Sequence, residues 1–140
     1  MCPISGALDI LGDRWTLLVV RDMLMRGKHE FREFVSGAEG IATNILSDRL
    51  KRLLCMDVIR FVPHPKHKTK KLYYLTDKGK DLLPLILEMA LWGGTYNPSP
   101  DLPRERFNNL KRNPKKMADE IRRGLAAWEK MHLLKHKEGR

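Results

Sequence analysis

The most constraining feature of the sequence is a change from a helical to a strand-like apolar pattern near residue 57. Before the change, residues 43–56 carry leucines that fall on one stripe of a helix, at Leu46, Leu50, Leu53 and Leu54. After it, the short apolar runs 58–62 and 72–75 are typical of β-strands. Residues 63–71 between the two runs contain two prolines, two histidines, four lysines and no acidic residue. The pattern therefore predicts a long helix followed by a β-hairpin with a basic, projecting tip.

Three short helical patterns precede the long one. They cover residues 3–11, 14–26 and 30–36, and Asp13 can cap the second. Four helices followed by a hairpin is the order of a helix-turn-helix with a wing, although short helices before a hairpin also occur in unrelated α+β folds. The predicted fold class is mainly α with a small β-hairpin (α+β), a winged helix-turn-helix with a C-terminal helical extension.

The sequence after the hairpin predicts two further helices separated by a linker. A helix over residues 76–92, capped by Thr76, should be kinked at Pro84. Residues 93–103 are rich in glycine and proline, which is typical of a turn or linker. An amphipathic helical pattern then returns over residues 114–134.

The formal net charge is +10, and the positive charge is concentrated in two blocks. Seven basic and one acidic side chains lie in residues 59–80, and twelve basic and five acidic ones lie in residues 104–140. Residues 1–58, in contrast, hold eight of each sign. This distribution favours a surface that faces a polyanion. The alternative is that the lysines only keep a small protein soluble.

Composition and motifs exclude several classes of protein. No apolar run approaches the roughly 20 residues that cross a bilayer, no secretory signal precedes the first helix, and two cysteines cannot form a disulfide scaffold. We therefore expect a cytoplasmic protein with no membrane partner. The sequence has no phosphate-binding glycine loop, nucleophile elbow or Cys-x-x-Cys motif, and the histidine pairs His64/His67 and His132/His136 lack nearby thiolates. The prediction is a protein that is not an enzyme and binds neither metal nor cofactor.

Five blocks of sequence occur in a characteristic order. They are Cys2-Pro3-Ile4, Gly12-Asp13-Arg14-Trp15-Thr16-Leu17-Leu18, Gly40-Ile41-Ala42-Thr43-Asn44-Ile45-Leu46-Ser47-Asp48-Arg49-Leu50-Lys51, Leu75-Thr76-Asp77-Lys78-Gly79 and Trp92-Gly93. Together they resemble the HxlR-type winged helix-turn-helix transcriptional regulators, a MarR-like family, over residues 2–96. The resemblance implies a prokaryotic regulator, a repressor or an activator, that binds double-stranded DNA as a homodimer at a two-fold symmetric operator. It leaves the effector ligand open.

The chain departs from this family at three positions. Ala42 stands where the family commonly has a serine that opens the recognition helix, so Thr43 is expected to cap one residue later. Asp57 replaces a glycine after that helix, and we expect it to tolerate the left-handed turn. Glu30 replaces an arginine before Phe31, and its carboxylate is expected to repel a DNA phosphate.

The outward face of the helix over residues 43–56 supplies the first set of candidate DNA contacts, because its N-terminal half would meet base edges in the major groove. We expect base readout by Thr43, Asn44, Ser47 and Asp48, and phosphate contact by Lys51 and Arg52. Asn44 can pair with adenine, and Asp48 can accept from the cytosine amino group. Asp48 can alternatively pair with Arg52 at i+4, whereas Arg49 lies near the leucine stripe as a packed or ion-paired residue.

The basic wing, residues 63–71, supplies the second set of candidate contacts. These are Lys66, Lys68, Lys70 and Lys71. Because no acidic residue lies in the same segment, we expect them to contact the backbone or the minor groove of DNA. The alternative is a solvated loop whose lysines serve only solubility.

The size of the predicted winged unit favours a homodimer, because one small unit makes few contacts with DNA. The first helix and the helix over residues 76–92 carry more apolar side chains than a small core needs, which makes them candidates for the dimer interface. The alternative is that both helices pack within their own domain. We expect residues 1–96 to form the DNA-binding and dimerisation domain. Residues 97–140 would be a linker and a basic amphipathic helical extension that packs on the partner or lies along flanking DNA.

Cys2 is a possible redox or electrophile sensor by its position alone, because some members of the resembled family carry a sensing thiol there. Such a thiol needs a lowered pKa, and Cys2 directly precedes a helix start. The alternative is an inert residue at a mobile end of the chain. Cys55 is a weaker candidate.

The sequence is also compatible with a different function, that of an RNA- or protein-binding adaptor that uses the winged helix as its scaffold. RNA binding would favour exposed aromatic side chains on which bases stack. Tyr73 and Tyr74 are the only adjacent aromatic pair, and alternation along a strand would turn them to opposite faces.

Overall fold

The structure is a computed structural model that describes residues 1–133. The chain divides into two compact units, Met1–Lys80 and a second one that begins at Asp81. The elements of the first unit are α1 (Pro3–Leu11), α2 (Arg14–Met25), α3 (Phe31–Val35), α4 (Thr43–Cys55), β1 (Ile59–Pro63), β2 (Lys71–Leu75) and α5 (Asp77–Lys80). Those of the second are α6 (Leu83–Tyr96), α7 (Arg104–Arg112) and α8 (Pro114–His132). The predicted winged helix-turn-helix fold is confirmed, and the domain division at residue 96 stays a prediction.

Helix α2 contacts α1, α4 and β2 within the first unit. Its N-cap is Asp13, whose carboxylate accepts from the backbone N–H groups of Trp15 and Thr16 at 3.1 and 3.2 Å, as the sequence predicted. It packs on α4, and the apolar side chains buried on the two helices are Val19, Val20, Met23, Leu24, Leu46, Leu50 and Leu53. Each large aliphatic side chain buried in this way contributes about 1.5–3 kcal/mol to folding.

The short helix α3 and the turn after it bring the chain to α4. The Glu33 side chain accepts from the backbone N–H groups of His29 and Glu30, which fixes the start of α3. The turn contains Gly40, whose φ of 69° lies in the left-handed region that glycine adopts without strain. The pair α3 and α4 therefore forms the helix-turn-helix.

The two strands form an antiparallel hairpin directly after α4. The register runs from Ile59 opposite Leu75 to Pro63 opposite Lys71, so each strand lies within one residue of its predicted span. Asp57 adopts φ 55° ahead of the hairpin. The expectation that an aspartate tolerates this left-handed turn is confirmed.

The prediction of a single kinked helix over residues 76–92 is wrong. The chain forms α5 and then starts a new helix at Leu83, with Pro84 in its first turn. Proline fits there because the first N–H groups of a helix have no intrahelical acceptor. Pro84 therefore begins a helix and does not kink one.

The linker predicted over residues 93–103 is also partly wrong, because α6 continues through both glycines to Tyr96. Gly94 lies so close to the Phe107 ring that a Cβ atom there would come within 2.5 Å of Phe107 Cε2. Its lack of a side chain thus allows α7 to pack closely on α6. Helix α7, which the sequence patterns did not predict, buries Leu110.

Helix α8 is the predicted amphipathic helix. The structure has it over Pro114–His132, and the predicted last position, residue 134, lies outside the described residues together with the rest of 134–140. It contacts α6 and α7, but none of its residues is fully buried. Across the described part of the chain, no helix combines the length and the apolar character needed to cross a membrane.

Candidate nucleic-acid interface

Helix α4 separates its apolar and polar residues onto opposite faces. Leu46, Leu50 and Leu53 are at most 2% exposed. The six residues predicted to contact DNA are all exposed, namely Thr43, Asn44, Ser47, Asp48, Lys51 and Arg52. The structure therefore brings these side chains together on one accessible face, and their contact with DNA stays a prediction.

The start of α4 differs from the expectation. Ala42 is the N-cap residue, with an extended backbone (φ −69°, ψ 142°), and it contributes no side-chain hydrogen bond. Thr43 is already the first helical residue, so the prediction that Thr43 caps the helix is wrong. The reason is that the chain turns into the helix at Ala42, whose methyl group supplies no acceptor for the first N–H groups.

The charged groups of α4 are organised by Arg49. Its Nε donates to Oδ1 of Asp13 at 2.8 Å, and its Nη1 donates to Oδ2 of Asp48 at 2.5 Å. This confirms that Arg49 is ion-paired. Asp48 pairs with Arg49 and not with Arg52 as the alternative proposed, since Arg52 approaches Asp13 at 4.0 Å instead.

Asp13 therefore has two tasks, of which the sequence indicated only the helix cap. Partial burial raises the pKa of its carboxyl group, but hydrogen bonds from Arg49 and Thr16 outweigh this effect and bring the pKa down to about 2. The carboxylate is thus fully ionised near neutral pH. Asp13 joins the beginning of α2 to the recognition helix with a charge-assisted hydrogen bond.

The hairpin presents all four candidate lysines to solvent, namely Lys66, Lys68, Lys70 and Lys71. The loop is closed by two backbone hydrogen bonds of 2.8 Å, from His64 N–H to the Lys70 carbonyl and from Lys70 N–H to the His67 carbonyl. Lys71 differs from the other three, because its Nζ lies 4.5 Å from the centroid of the Phe61 ring. This cation–π contact holds Lys71 along the strand.

The Glu30 carboxylate has two side-chain partners near the candidate interface. Its Oε2 accepts from Arg32 Nε at 2.9 Å, and its Oε1 lies 3.0 Å from His64 Nε2 in the wing. The hydrogen bond from Arg32 lowers the pKa of the Glu30 carboxyl group. Sequence reasoning missed these two partners of Glu30, and only the i, i+2 spacing to Arg32 could have suggested one of them.

Cys2 occupies the N-cap position of α1 and is exposed. The backbone N–H groups of Ser5 and Ile4 lower the pKa of its thiol. Cys55 is also exposed, at the last turn of α4, and both cysteines are free thiols. Among residues 1–133, no three His, Cys, Asp or Glu side chains are grouped so that they could hold a metal ion.

Three of the described helices carry exposed large apolar side chains, α1, α6 and α8, the last of these at Met131. On α1 these are Ile4, 71% exposed, and Leu8, 59% exposed. On α6 they are Leu85, Met89, Trp92 and Tyr96, whose spacing of 4, 3 and 4 residues forms one stripe. The apolar residues of α8 (Met117, Ile121, Leu125 and Trp128) are only partly covered.

A short helix, a turn and a second helix with an outward polar face, followed by a basic hairpin, define a winged helix-turn-helix protein. The chain belongs to the HxlR-like helix-turn-helix family, which it matches over residues 10–101. The resemblance found in the sequence is thereby confirmed. The prediction that the chain is not an enzyme agrees with this membership, because the relatives are transcriptional regulators.

Two relatives illustrate the extent of the match. An uncharacterised HTH-type transcriptional regulator of Mycobacterium tuberculosis (strain CDC 1551 / Oshkosh), MT3179, is 33% identical over 100 residues, which are 71% of this chain and 62% of that protein. YvaP of Bacillus subtilis (strain 168), also an uncharacterised HTH-type transcriptional regulator, is 37% identical over 93 residues, 66% of this chain and 85% of YvaP. The match thus covers less than two thirds of the mycobacterial protein.

Among solved structures, the reduced form of the transcriptional regulator YodB from Bacillus subtilis aligns with a TM-score of 0.56 at 32% identity. The alignment covers 70% of this chain and 96% of YodB. YodB has also been crystallised after treatment with diamide and with quinone bound.

Proposed function

We propose that this protein is a sequence-specific DNA-binding transcriptional regulator that acts as a homodimer on a two-fold symmetric operator. The observation that carries the proposal is the polar outward face of α4, since a helix packed by leucines on one side and exposing amide, hydroxyl and charged groups on the other fits the major groove. Family membership supports the same conclusion.

Base recognition is assigned to the N-terminal half of α4 and phosphate contact to its C-terminal half. Thr43, Asn44, Ser47 and Asp48 would face base edges, and Lys51 and Arg52 would face the backbone. Asn44 has the donor and acceptor needed to pair with adenine. The exposure of these side chains supports the assignment.

The wing is assigned to the DNA backbone or the minor groove. Lys66, Lys68 and Lys70 project from the hairpin loop and Lys71 from the adjoining strand, so each ammonium group can reach a phosphate without first breaking a salt bridge within residues 1–133. Part of this binding energy would come from counterion release, and the affinity would therefore fall steeply with salt.

Homodimerisation is assigned to the apolar stripes on α1 and α6. Trp92 and Tyr96 are each more than 65% exposed and lie with their ring centroids 5.3 Å apart. Large aromatic side chains exposed side by side are typical of protein interfaces. A second copy of this chain is the partner that a two-fold operator requires, and the half-covered apolar side of α8 supports a further contact with that copy.

Cys2 is assigned a redox- or electrophile-sensing role. Its exposure and the lowered pKa of its thiol favour the thiolate, which is the reactive form. The thiolate would add to a ring carbon of a quinone, or would be oxidised by diamide together with a second thiol to a disulfide. The diamide-treated and quinone-bound structures of YodB support this choice of reagents.

Since operator DNA lies in the cytoplasm of a prokaryotic cell, the proposed function implies a cytoplasmic protein. The competing adaptor function has weaker support: Tyr73 is buried, which removes one half of the only adjacent aromatic pair from any stacking platform for RNA.

The decisive experiment is selection of bound fragments from a random duplex library, followed by a salt titration of the selected duplex, a single strand and an RNA of the same sequence. We expect a palindromic duplex motif and a clear preference for that duplex. Asn44→Ala should change the preferred base at one position of each half-site. Equal affinity for all three nucleic acids, or no enrichment of any duplex, would contradict the proposed function and favour the adaptor.

A further inference from the structure

Arg49 connects two carboxylates, one within the recognition helix and one outside it. Nε of Arg49 donates to Asp13 Oδ1 at 2.8 Å, and Nη1 donates to Asp48 Oδ2 at 2.5 Å. We call this arrangement the Asp13–Arg49–Asp48 bridge. A guanidinium group is planar and rigid, so the direction in which it meets Asp13 also fixes the direction of the nitrogen that holds Asp48.

Asp13 is a fixed end of the bridge. Its Oδ1 also accepts from the backbone N–H groups of Trp15 and Thr16, and its Oδ2 accepts from the Thr16 hydroxyl at 2.5 Å. Thr16 is buried. Because the carboxylate caps α2, it cannot turn with Arg49 unless the helix loses its cap.

Asp48 is the exposed end of the bridge. Its side chain is 56% exposed, and the bond to Arg49 uses only Oδ2. Among residues 1–133, Oδ1 of Asp48 has no hydrogen-bond partner. A carboxylate held through one oxygen presents the other in a defined direction, as a single hydrogen bond from a base requires. Without Arg49, the same carboxylate would rotate freely and would be repelled by phosphates.

We propose that Asp13 is a positioning residue for sequence readout, which holds Asp48 through Arg49 so that Asp48 Oδ1 accepts a hydrogen bond from the amino group of a cytosine. This inference rests on the proposed function of α4 in the major groove. Asp13 itself precedes α2 and is assigned no contact with DNA, so it acts on the base pair read by Asp48 through the bridge. Its approach to Arg52 at 4.0 Å concerns a phosphate contact, which affects all operators alike.

The test begins by finding the base pair that Asp48 reads. Wild-type protein and Asp48→Ala are titrated with the selected operator and with operators changed at one base pair of each half-site. We expect Asp48→Ala to lose the preference for one C·G pair by on the order of tenfold. Asp13→Ser, which keeps a capping hydroxyl but cannot reach Arg49, should lose most of the same preference at the same position and little elsewhere.

Three further variants separate positioning from a general structural effect. Thr16→Val removes the hydroxyl that donates to Asp13 Oδ2 and leaves Arg49 in place, so it should lower the melting temperature without changing base preference. Asp13→Asn keeps both the cap and an oxygen acceptor for Arg49, so it should retain more of the preference than Asp13→Ser. Arg49→Lys cannot bridge two carboxylates with one rigid group and should behave like Asp13→Ser.

The double variant Asp13→Ser/Asp48→Ala decides the matter. If Asp13 acts through Asp48, the double variant discriminates as Asp48→Ala does, with no additional loss. The proposal is overturned if Asp13→Ser weakens binding to all operators equally, or if its effect on base preference persists without Asp48. If either result occurs while wild-type protein still selects a palindromic duplex, only the role of Asp13 is contradicted and the proposed function is retained. If wild-type protein has no duplex preference, the role of Asp13 and the proposed function are both contradicted.

Discussion

His29 and Tyr73 are joined by hydrogen bonds in both directions. The His29 ring Nδ1 lies 2.7 Å from the Tyr73 carbonyl oxygen, and the Tyr73 backbone N–H donates to the His29 carbonyl at 2.8 Å. Because a carbonyl oxygen can only accept, Nδ1 carries the proton in this pair. These hydrogen bonds hold the segment before α3 against β2, the second strand of the hairpin.

Replacement of His29 should therefore loosen the whole first unit. His29→Ala removes a buried hydrogen bond, leaves the Tyr73 carbonyl without its ring partner and opens a cavity, so we expect a loss of about 2 kcal/mol in the free energy of unfolding. Urea denaturation followed by circular dichroism measures the loss. His67→Ala, in the exposed hairpin loop, is the matched control and should stay within about 0.5 kcal/mol of wild type. Equal stability of the two variants would contradict the assigned role of His29.

The wing lysines should set the salt dependence of DNA binding. Simultaneous replacement of Lys66, Lys68, Lys70 and Lys71 by glutamine leaves up to four phosphates without a neutralising ammonium group. The slope of log K against log salt should become shallower by about 0.9 for each such phosphate, with weaker binding to every sequence. Fluorescence anisotropy over a salt series gives both quantities.

The matched control for this prediction carries the same change of charge on the C-terminal helices. It replaces four exposed cations at the junction of α7 and α8 by glutamine, namely Lys111, Arg112, Lys115 and Lys116. If the extension packs on the partner subunit, this control leaves the salt slope close to that of wild type. A shallower slope in the control alone would assign the phosphate contacts to the extension and not to the wing.

The sequence predicted those helices and strands whose first and last residues are determined by residues close by in the sequence. Helix α1 occupies its predicted span because Pro3 favours a first helical turn and Gly12 can end the helix. Asp13 was recognised as a cap, since a cap and its acceptor groups lie within a few residues. The polar face of α4 followed from the leucine spacing alone.

What the sequence could not predict depends on contacts between distant residues. The bond from Arg49 to Asp13 spans 36 positions, and nothing in the local pattern of either residue indicates the other. Helix α7 was missed because it carries few apolar residues and follows a proline-rich segment. Helix α7 can pack on α6 only because residue 94 is a glycine. A glycine in this sequence context predicts a turn, but tertiary packing keeps Gly94 in a helix.

Acid should weaken the fold through Glu39. Arg21 donates to Glu39 Oε1 at 2.5 Å, and this hydrogen bond lowers the pKa of the Glu39 carboxyl group to about 2. A carboxyl group with a pKa lowered by folding stabilises the protein above its unfolded pKa of about 4.3, and the contribution is lost as the pH falls toward about 2. Glu39→Gln should therefore cost about 1–2 kcal/mol near neutral pH, since the partly solvated pair contributes less than its full electrostatic energy.

The measurement is urea denaturation of both proteins near neutral pH and at about pH 2.5. The difference in the free energy of unfolding should shrink toward zero in acid, and the contribution of Asp13, whose pKa is also about 2, cancels because both proteins contain it. Glu88→Gln, on the exposed surface of α6, is the control. A difference that stays constant with pH would show that Glu39 stabilises the turn before α4 without its charge.

The apolar stripe on α6 should control the oligomeric state. Trp92→Glu places a charge among Met89 and Tyr96, so we expect a shift from dimer to monomer in sedimentation velocity at micromolar concentration and weaker operator binding. Thr95→Glu introduces the same charge at an exposed position beside the stripe without removing an apolar side chain, so it should weaken the dimer less than Trp92→Glu. Wild-type protein that sediments as a monomer at this concentration would remove α6 as a dimer interface.

Oxidants and electrophiles should weaken DNA binding through Cys2 and not through Cys55. Both thiols are exposed, and the backbone N–H groups at the start of α1 lower the pKa of the Cys2 thiol, which favours its thiolate, the reactive form. We expect a benzoquinone to reduce the operator affinity of wild-type protein and of Cys55→Ser. Diamide should do the same by joining Cys2 in a disulfide to a second thiol, either Cys2 of another copy or an added low-molecular-weight thiol, while diamide itself is reduced. Cys2→Ser should keep its affinity, and mass spectrometry should locate one quinone adduct at Cys2 in each chain. Affinity that falls equally in Cys2→Ser would assign the sensitivity to Cys55, at the end of the recognition helix, and a wild-type protein that both reagents leave unchanged would exclude thiol sensing altogether.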